Sequence, residues 1–303
     1  MRLTFPRVGR SGRTATTFRE KWARNPDLAF RQTLDERSEI FRWIVERNGF
    51  GDAAGLRAFL APKRRILDAG CGNGRVTALL RAYADPETEI VAFDLSAADV
   101  ARANLAGAER VTVLEGDLLG DLSELGSFDF IYCQEVLHHT EDPERAFRNL
   151  TGRLAPEGEI AIYVYRRKAP VREFTDDYVR ERISELDYDQ AIEQCRAIAE
   201  LGRALADLGA TVRVPAIEVL GIEAGEYDVQ RLLYHHFMKC FWNDELDPEA
   251  NAAVNFDWYH PQLSSRHTLE ECRAWFSNAG LEVQHELQDP YGITMRAIRR
   301  ASR

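Results

Sequence analysis

From residue 64 onward, short continuous apolar runs alternate with segments whose apolar residues recur every three or four positions. The first pattern predicts buried parallel strands, the second helices packed along one face. Strands are predicted over 64–68, 89–94, 110–115, 128–134 and 159–165. Helices are predicted over 74–84, after Ser96, and from Asp142-Pro143. That last start combines a side-chain cap with a proline at the first helical position, where its missing N–H costs nothing. Five strands separated by helices imply right-handed crossovers and a doubly wound parallel sheet. In such sheets ligands bind beyond the carboxyl ends of the strands.

The flanks read differently. Residues 27–48 predict a helix with Phe30, Leu34, Phe41, Ile44 and Val45 as its stripe and Asn48-Gly49 as its stop. A short helix over 53–60 follows. Past Arg167 the alternation ceases, and 168–260 reads as helical with no clear strand. Its cleanest part is 190–208, where Ile192, Cys195, Ile198, Leu201, Leu205 and Leu208 fall on one face and Gly209 terminates. Another helix is expected over 226–242. This block is too long for a connecting loop and reads as a helical insertion, a lid over the cleft. Thr268-x-x-Glu271 then forms a capping box for a helix ending at Gly280, followed by strands over 281–287 and 291–299. The expected organisation is an N-terminal arm with helices over 1–60, a sheet core over 61–167, the insertion over 168–260, and the rest of the core over 261–303.

Composition narrows the class. The chain has 303 residues, 45% of them hydrophobic, enough for one sizeable core plus a smaller part. A net charge of -10 argues against a dedicated nucleic-acid binder. The local exception is residues 1–24, where Arg2, Arg7, Arg10, Arg13, Arg19, Lys21 and Arg24 face one acid, Glu20. This segment reads as a solvated, poorly ordered terminus, with an arm for an anionic partner as the sharper alternative. Cys71, Cys133, Cys195, Cys240 and Cys272 are odd in number and form no C-x-x-C, which fits reduced thiols in a cytoplasmic protein. No apolar run approaches the ~18 residues that span a bilayer, and no apolar core follows the basic start, so neither a membrane partner nor a secretory signal is expected.

The stretch ILDAGCGNGR, Ile66 to Arg75, carries the chemistry. It reads as strand, glycine turn, helix. Glycines at 70, 72 and 74 let a ligand lie against the backbone, and the helix start offers unpaired N–H groups. Arg75 stands where a dinucleotide loop would need its third glycine, and no G-K-S/T follows, so neither a dinucleotide nor a phosphate loop is matched. Asp94 ends the second predicted strand, where an acid accepts hydrogen bonds from a ribose diol. Asp117 ends the third and suits an exocyclic amine. The turn and the two acids together outline a pocket for an adenosine.

With these residues in place, LDAGCGNG, FDLS, EGD and FDFIYCQEVLHHTEDPERAFRNLTGRLAPEG resemble the successive motifs of class I S-adenosylmethionine-dependent methyltransferases, in the branch of quinone-biosynthesis and natural-product enzymes. The resemblance covers about residues 60–166 and extends weakly over 267–299. It implies a Rossmann-like α/β fold with a seven-stranded sheet whose last strand is inserted antiparallel. It implies S-adenosyl-L-methionine as cofactor, with Asp68 and the backbone of Gly70, Cys71 and Gly72 holding the methionine part. Asp94 would take the ribose hydroxyls, Leu95 would pack on the adenine, and Asp117 would bind the adenine amine with Leu118 beside it. Cys133 and Gln134 would line the methionine end. Glu135, His138 and His139 would lie near the transferring methyl or the lid.

A proton acceptor helps when the nucleophile is a hydroxyl or a protonated amine, and histidine is the usual choice. His138-His139 sits at the cleft rim. His236 shares a helical stripe with Val229, Leu233 and Cys240 and reads as a core histidine. The stretch NFDWYHPQLSSRHT, Asn255 to Thr268, reads as irregular and gathers Trp258, Tyr259, His260, Arg266 and His267. Tyr259 and His260 are its candidates for substrate contact, the alternative being that its aromatics anchor the insertion to the sheet. His236-x-x-x-Cys240 has helical spacing but is too unspecific for a zinc site, so no metal is expected. No N-P-P-Y or D-P-P-Y follows the fourth strand, which weighs against methylation of adenine or glutamine amino groups. The expected reaction is methyl transfer to an oxygen or nitrogen of a small molecule. The alternatives are a tRNA or other nucleic-acid methyltransferase guided by the basic arm, a cofactor-binding scaffold without turnover, and non-methyl chemistry on the same cofactor. The oligomeric state stays open, with a homodimer compatible with the sequence.

Overall fold

The structure, a computed structural model, describes residues 9–300. Arg2 and Arg7 of the basic segment lie outside the described residues. Four helices come first: α1 (Arg10–Arg24), α2 (Phe30–Leu34), α3 (Glu39–Arg47) and α4 (Ala53–Leu60). Next come β1 (Arg65–Ala69), α5 (Arg75–Tyr83), β2 (Glu89–Asp94), α6 (Ala98–Asn104), β3 (Val111–Glu115), β4 (Phe128–Gln134), α7 (Pro143–Thr151) and β5 (Leu154–Tyr165). The block after them holds α8 (Pro170–Ile183), α9 (Tyr188–Ala206), β6 (Thr211–Val214), β7 (Gly225–Asp228), α10 (Val229–His236) and α11 (Pro248–Tyr259). The chain closes with α12 (Leu269–Asn278), β8 (Glu282–Gln288) and β9 (Gly292–Ile298). Two compact units result. The larger comprises Phe18–Arg166 and the residues from Ser265 onward. The smaller comprises Arg167–Ser264 with the described residues up to Thr17.

The larger unit is built on one seven-stranded sheet ordered β3-β2-β1-β4-β5-β9-β8. Strands β1 to β5 are parallel. Strand β9 lies between β5 and β8 and runs antiparallel to both. Side chains alternate across each strand, so the sheet buries two faces. Leu67, Ala69, Ile131, Cys133, Ile160 and Ile162 pack with Phe147 and Leu150 of α7 and Trp275 and Phe276 of α12. Ile66, Ile90, Phe130 and Tyr132 pack on the other face with Phe41 and Ile44 of α3, Leu56 and Leu60 of α4, and Leu79 and Leu80 of α5. Apolar runs buried on both faces are what the sequence pattern required. The start of the sheet is tied by a buried ion network: Glu159 accepts from Lys63 Nζ at 2.9 Å and from Arg296 Nη1 at 2.5 Å.

Several expectations need correction. The helix expected over 27–48 is two helices, broken at Asp35–Ser38; the Ser38 hydroxyl accepts from the Phe41 N–H at 3.0 Å and starts α3 afresh. Residues 10–24 are helix α1, not a poorly ordered terminus. The block 168–260 is not free of strands: β6 and β7 form an antiparallel hairpin, and β7 takes the start of the helix expected over 226–242. On α9 the buried face is Tyr188, Ala191, Ile192, Cys195, Ala199 and Gly202, while Leu201 and Leu208 are exposed. Ile192 and Cys195 of the expected stripe are buried; nearer the C-terminal end the helix packs by Ala199 and Gly202 rather than by Leu201 and Leu208.

In the smaller unit α11 is buried on nearly every side. Such a helix has no polar face, so periodicity does not reveal it. Two asparagines at 0% exposure supply its polar partners. Asn255 Oδ1 accepts from the Phe241 N–H at 2.9 Å, and its Nδ2 donates to the Phe241 carbonyl at 3.1 Å. Asn251 bridges the Asn243 N–H and carbonyl in the same way. These side chains replace a backbone partner for the segment after α10. Replacing Asn255 by alanine leaves the Phe241 N–H and carbonyl unpaired inside the unit, which costs about 2–4 kcal/mol. Denaturant unfolding of Asn255→Ala should show a loss of that size; a change under about 0.5 kcal/mol would mean the segment finds other partners.

Candidate functional site

The turn after β1 is set by its backbone. Gly70 has φ 84 and Gly72 φ 54, values that a residue with a Cβ rarely adopts. Space forbids a side chain as well. A Cβ on Gly70 would meet Val136 Cγ2 at 2.1 Å, and one on Gly72 would meet the Trp22 indole at 2.9 Å. The Gly70 and Cys71 N–H groups donate to the Phe93 carbonyl at 2.6 and 3.2 Å, which locks the turn to the end of β2. Cys71 is buried, and burial raises its thiol well above the usual range, so it contributes backbone and not reactivity.

Asp94 is the organising acid. Its Oδ2 accepts from the Gly72 N–H at 2.9 Å, while Oδ1 accepts from the N–H groups of Ser96 and Ala97 at 2.8 and 2.9 Å. One carboxylate thus holds the glycine turn and the entry to α6. Oδ2 carries one donor, which leaves it acceptor capacity for a ribose hydroxyl. Leu95 beside it is 40% exposed, a large apolar side chain at the site's edge. Asp117 is exposed, with Oδ1 accepting from the Leu119 N–H at 2.9 Å. Leu118, the residue after it, is buried in the core cluster that also holds Leu122, Leu125 and Phe147.

Asp68 lies inside, at 3% exposure, and accepts from the Thr77 hydroxyl at 2.6 Å. Burial pushes its carboxyl up to about 7; the Thr77 hydrogen bond opposes this and the neighbouring Asp94 charge adds to it. The group is therefore poised to change charge near neutrality.

The end of β4 supplies the second wall. Cys133 is fully buried in the sheet. The Gln134 side chain accepts from the Tyr132 hydroxyl at 2.7 Å and donates to Asn48 Oδ1, so it is held by its own strand and by the residue closing α3. Glu135 has φ 61, an uncommon conformation for a residue with a side chain. Its carboxylate is exposed and stands 3.7 Å from Arg75 Nη2 on α5. Backbone strain of this kind gathers at functional positions. His138 is buried and stacked on Tyr165 with ring centroids 3.7 Å apart. His139 is half-buried, edge-on to Phe18 at 4.8 Å.

Tyr259 and His260 do not stand as expected. Asn255 to Tyr259 are the last residues of α11, not an irregular segment. The Tyr259 hydroxyl is fully buried, 2.7 Å from Asp176 Oδ1 and 2.9 Å from the Lys239 carbonyl. Burial and then the Asp176 charge raise its phenol far above neutrality. His260 Nε2 faces the Leu186 carbonyl at 3.1 Å, so that nitrogen carries the proton, and Nδ1 faces the Thr17 hydroxyl at 2.9 Å. Both ring nitrogens of His260 are thus engaged inside the smaller unit. Among the described residues no three His, Cys, Asp or Glu side chains gather as a metal site.

Sequence reasoning missed three residues at the turn. Trp22 covers Gly72 from α1. Asn73, fully buried, donates to the carbonyls of Pro26 and Leu28 at 3.0 and 3.1 Å and ties the segment after α1 to the turn. Thr77 partners Asp68 from the first turns of α5. Only Asn73 left a signal: a polar residue between two glycines where the helix begins.

The chain has relatives of known description. A family profile described as a methyltransferase domain matches residues 67–162. A trans-aconitate 2-methyltransferase of Methylobacterium radiotolerans is 31% identical over 206 residues, covering 67% of this chain and 69% of the relative. A juvenile hormone acid O-methyltransferase of Bombyx mori is 37% identical over 104 residues, 32% of this chain and 37% of the relative. The chain spans 28%, 37% and 38% of the length of the first curated relatives it matches. Among solved structures, an O-methyltransferase family protein from Burkholderia thailandensis matches with a TM-score of 0.48 at 15% identity, over 97% of this chain and 73% of that one. The chain belongs to the class I S-adenosylmethionine-dependent methyltransferases.

Proposed function

We propose that the protein transfers the methyl group of S-adenosyl-L-methionine to an oxygen or nitrogen of a small molecule. The observation that carries this reading is the Asp94 carboxylate bonded to the Gly72 N–H, with acceptor capacity left beside an exposed Leu95. The residues fit the cofactor. The glycine turn has no side chains of its own, although Trp22 and Val136 lie against it, and acids stand at the end of β2 and after β3. When bound, the cofactor supplies a sulfonium that already makes its methyl electrophilic.

The chain's task is then to bind, orient and exclude water. Asp94 would accept the ribose hydroxyls, with Leu95 against the adenine and Asp117 toward the adenine amine. The Gly70–Gly72 backbone would run along the amino-acid tail, near Asp68. Glu135 and His139 are the groups best placed at the end of β4 to stand near the methyl and take a proton from a hydroxyl or amine acceptor. Relatives named for trans-aconitate, juvenile hormone acid and ubiquinone biosynthesis support a small acceptor over a nucleic acid.

Calorimetry with S-adenosylmethionine tests the reading. The intact protein should bind it, and Asp94→Ala should weaken binding at least tenfold. Failure of the wild type to bind, or equal binding by Asp94→Ala, would refute the assignment.

Asp68 adds a pH dependence. Its folded pKa is raised, so below about 7 the carboxyl keeps its proton. A cation brought beside it favours the ionised form, so binding releases that proton. Affinity should therefore rise as pH goes from 5.5 to 7.5, by no more than about tenfold per pH unit, and Asp68→Asn should flatten the slope. An unchanged slope in that variant would place the cofactor's charge elsewhere.

Trp22 reports the same event. Its indole covers Gly72, so cofactor binding should change intrinsic fluorescence, and Trp22→Phe should remove most of that change. Retention of the full signal in Trp22→Phe would show that the ligand bypasses the turn.

A further inference from the structure

The smaller unit holds a cluster of cations whose polar atoms are incompletely matched. Arg172 of α8 is 1% exposed. Its Nε donates to Asp176 Oδ2 at 3.1 Å, but its Nη1 is buried without a partner among the described residues. Asp176 cannot serve it further. That carboxylate already receives the Trp258 indole N–H at 2.8 Å, the Tyr259 hydroxyl at 2.7 Å and the Lys239 backbone N–H at 2.9 Å.

Arg231 of α10 repeats the pattern. Its Nη1 is also buried and unpartnered among the described residues. Both guanidinium groups address one ring: Arg172 lies 4.6 Å and Arg231 5.7 Å from the Tyr234 centroid. His236, on the same helix, has a buried Nδ1 with no partner among the described residues. Burial first, then the charges of Arg172, Arg231 and Lys168, hold the His235 imidazole down to about 3, so it stays neutral at physiological pH and adds no charge of its own. Arg231 is half-buried, so the cluster reaches the unit's surface there.

A buried N–H without an acceptor is unfavourable, and a planar guanidinium matches a carboxylate bidentately. We propose that Arg172 and Arg231, with His236, form a binding site for an organic acid, gripping one of its carboxylates. The anion site does not rest on the function proposed above. A guanidinium-bound carboxylate serves as the anchor of the molecule, so a polycarboxylic acid fits best, with a second oxygen group left outside the grip.

Titration calorimetry of citrate into the intact protein, without S-adenosylmethionine and at low salt, tests the site. Citrate should bind, and Arg231→Gln, a change at a half-buried position, should weaken it at least tenfold while the far-ultraviolet circular dichroism stays native. Arg172→Lys, which keeps the charge and loses the fork, should weaken it as well. Absence of citrate binding, equal binding by a folded Arg231→Gln, or phosphate binding as tightly as citrate would each overturn the proposal. S-adenosylmethionine titrated into the same samples separates the two readings. Citrate binding without cofactor binding keeps the anion site and removes the methyl-transfer reading; cofactor binding without citrate binding removes the anion site alone.

Discussion

The larger unit depends on one charged hydrogen bond, from the Gly72 N–H to the Asp94 carboxylate. It joins the loop that leaves β1 to the loop that leaves β2, and the same carboxylate starts α6. A charge-assisted bond to backbone is stronger than a neutral one and fixes geometry at both ends. The glycine at 72 is required because its backbone must turn at positive φ with Trp22 against it. The adenosyl reading builds on this: of two adjacent strand ends, one offers a turn without side chains of its own, with Trp22 and Val136 against it, and the other an acid with capacity to spare.

Much of this unit was legible because its determinants are local. Strand β2 falls where the apolar run places it, and α12 starts where the Thr268–Glu271 capping box puts it. The antiparallel insertion of β9 came from the family resemblance, since pairing partners cannot be read from periodicity. What stayed hidden depends on contacts far apart in sequence. Nothing in residues 10–24 shows that Trp22 will cover a glycine fifty positions on. The arginines of that segment suggested a solvated tail, yet Thr14 and Thr17 pair with Leu263 and His260.

The smaller unit was read less well, for a physical reason. Its central helix α11 is buried on nearly every side, and its two strands are short. Polar residues at its core, Asn251, Asn255, Arg172 and Asp176, mimic surface residues in a hydropathy pattern while being fully or almost fully buried. The same trait drew Tyr259 and His260 into the expected active site; each is instead saturated by hydrogen bonds inside the unit. A polar interior of this kind specifies its packing only when each group is matched. The Arg172 and Arg231 Nη1 atoms are among the few buried polar atoms there left without a partner among the described residues.

The central claim is that the bare turn at Gly70–Gly72 and the Asp94 carboxylate cradle the methyl donor. A crystal structure with S-adenosylhomocysteine tests it most directly. The account predicts both ribose hydroxyls within hydrogen-bonding distance of Asp94 and the amino-acid tail lying along the Gly70–Gly72 backbone. A ligand seated away from Asp94, with the turn still closed by Trp22 and Val136, would contradict it.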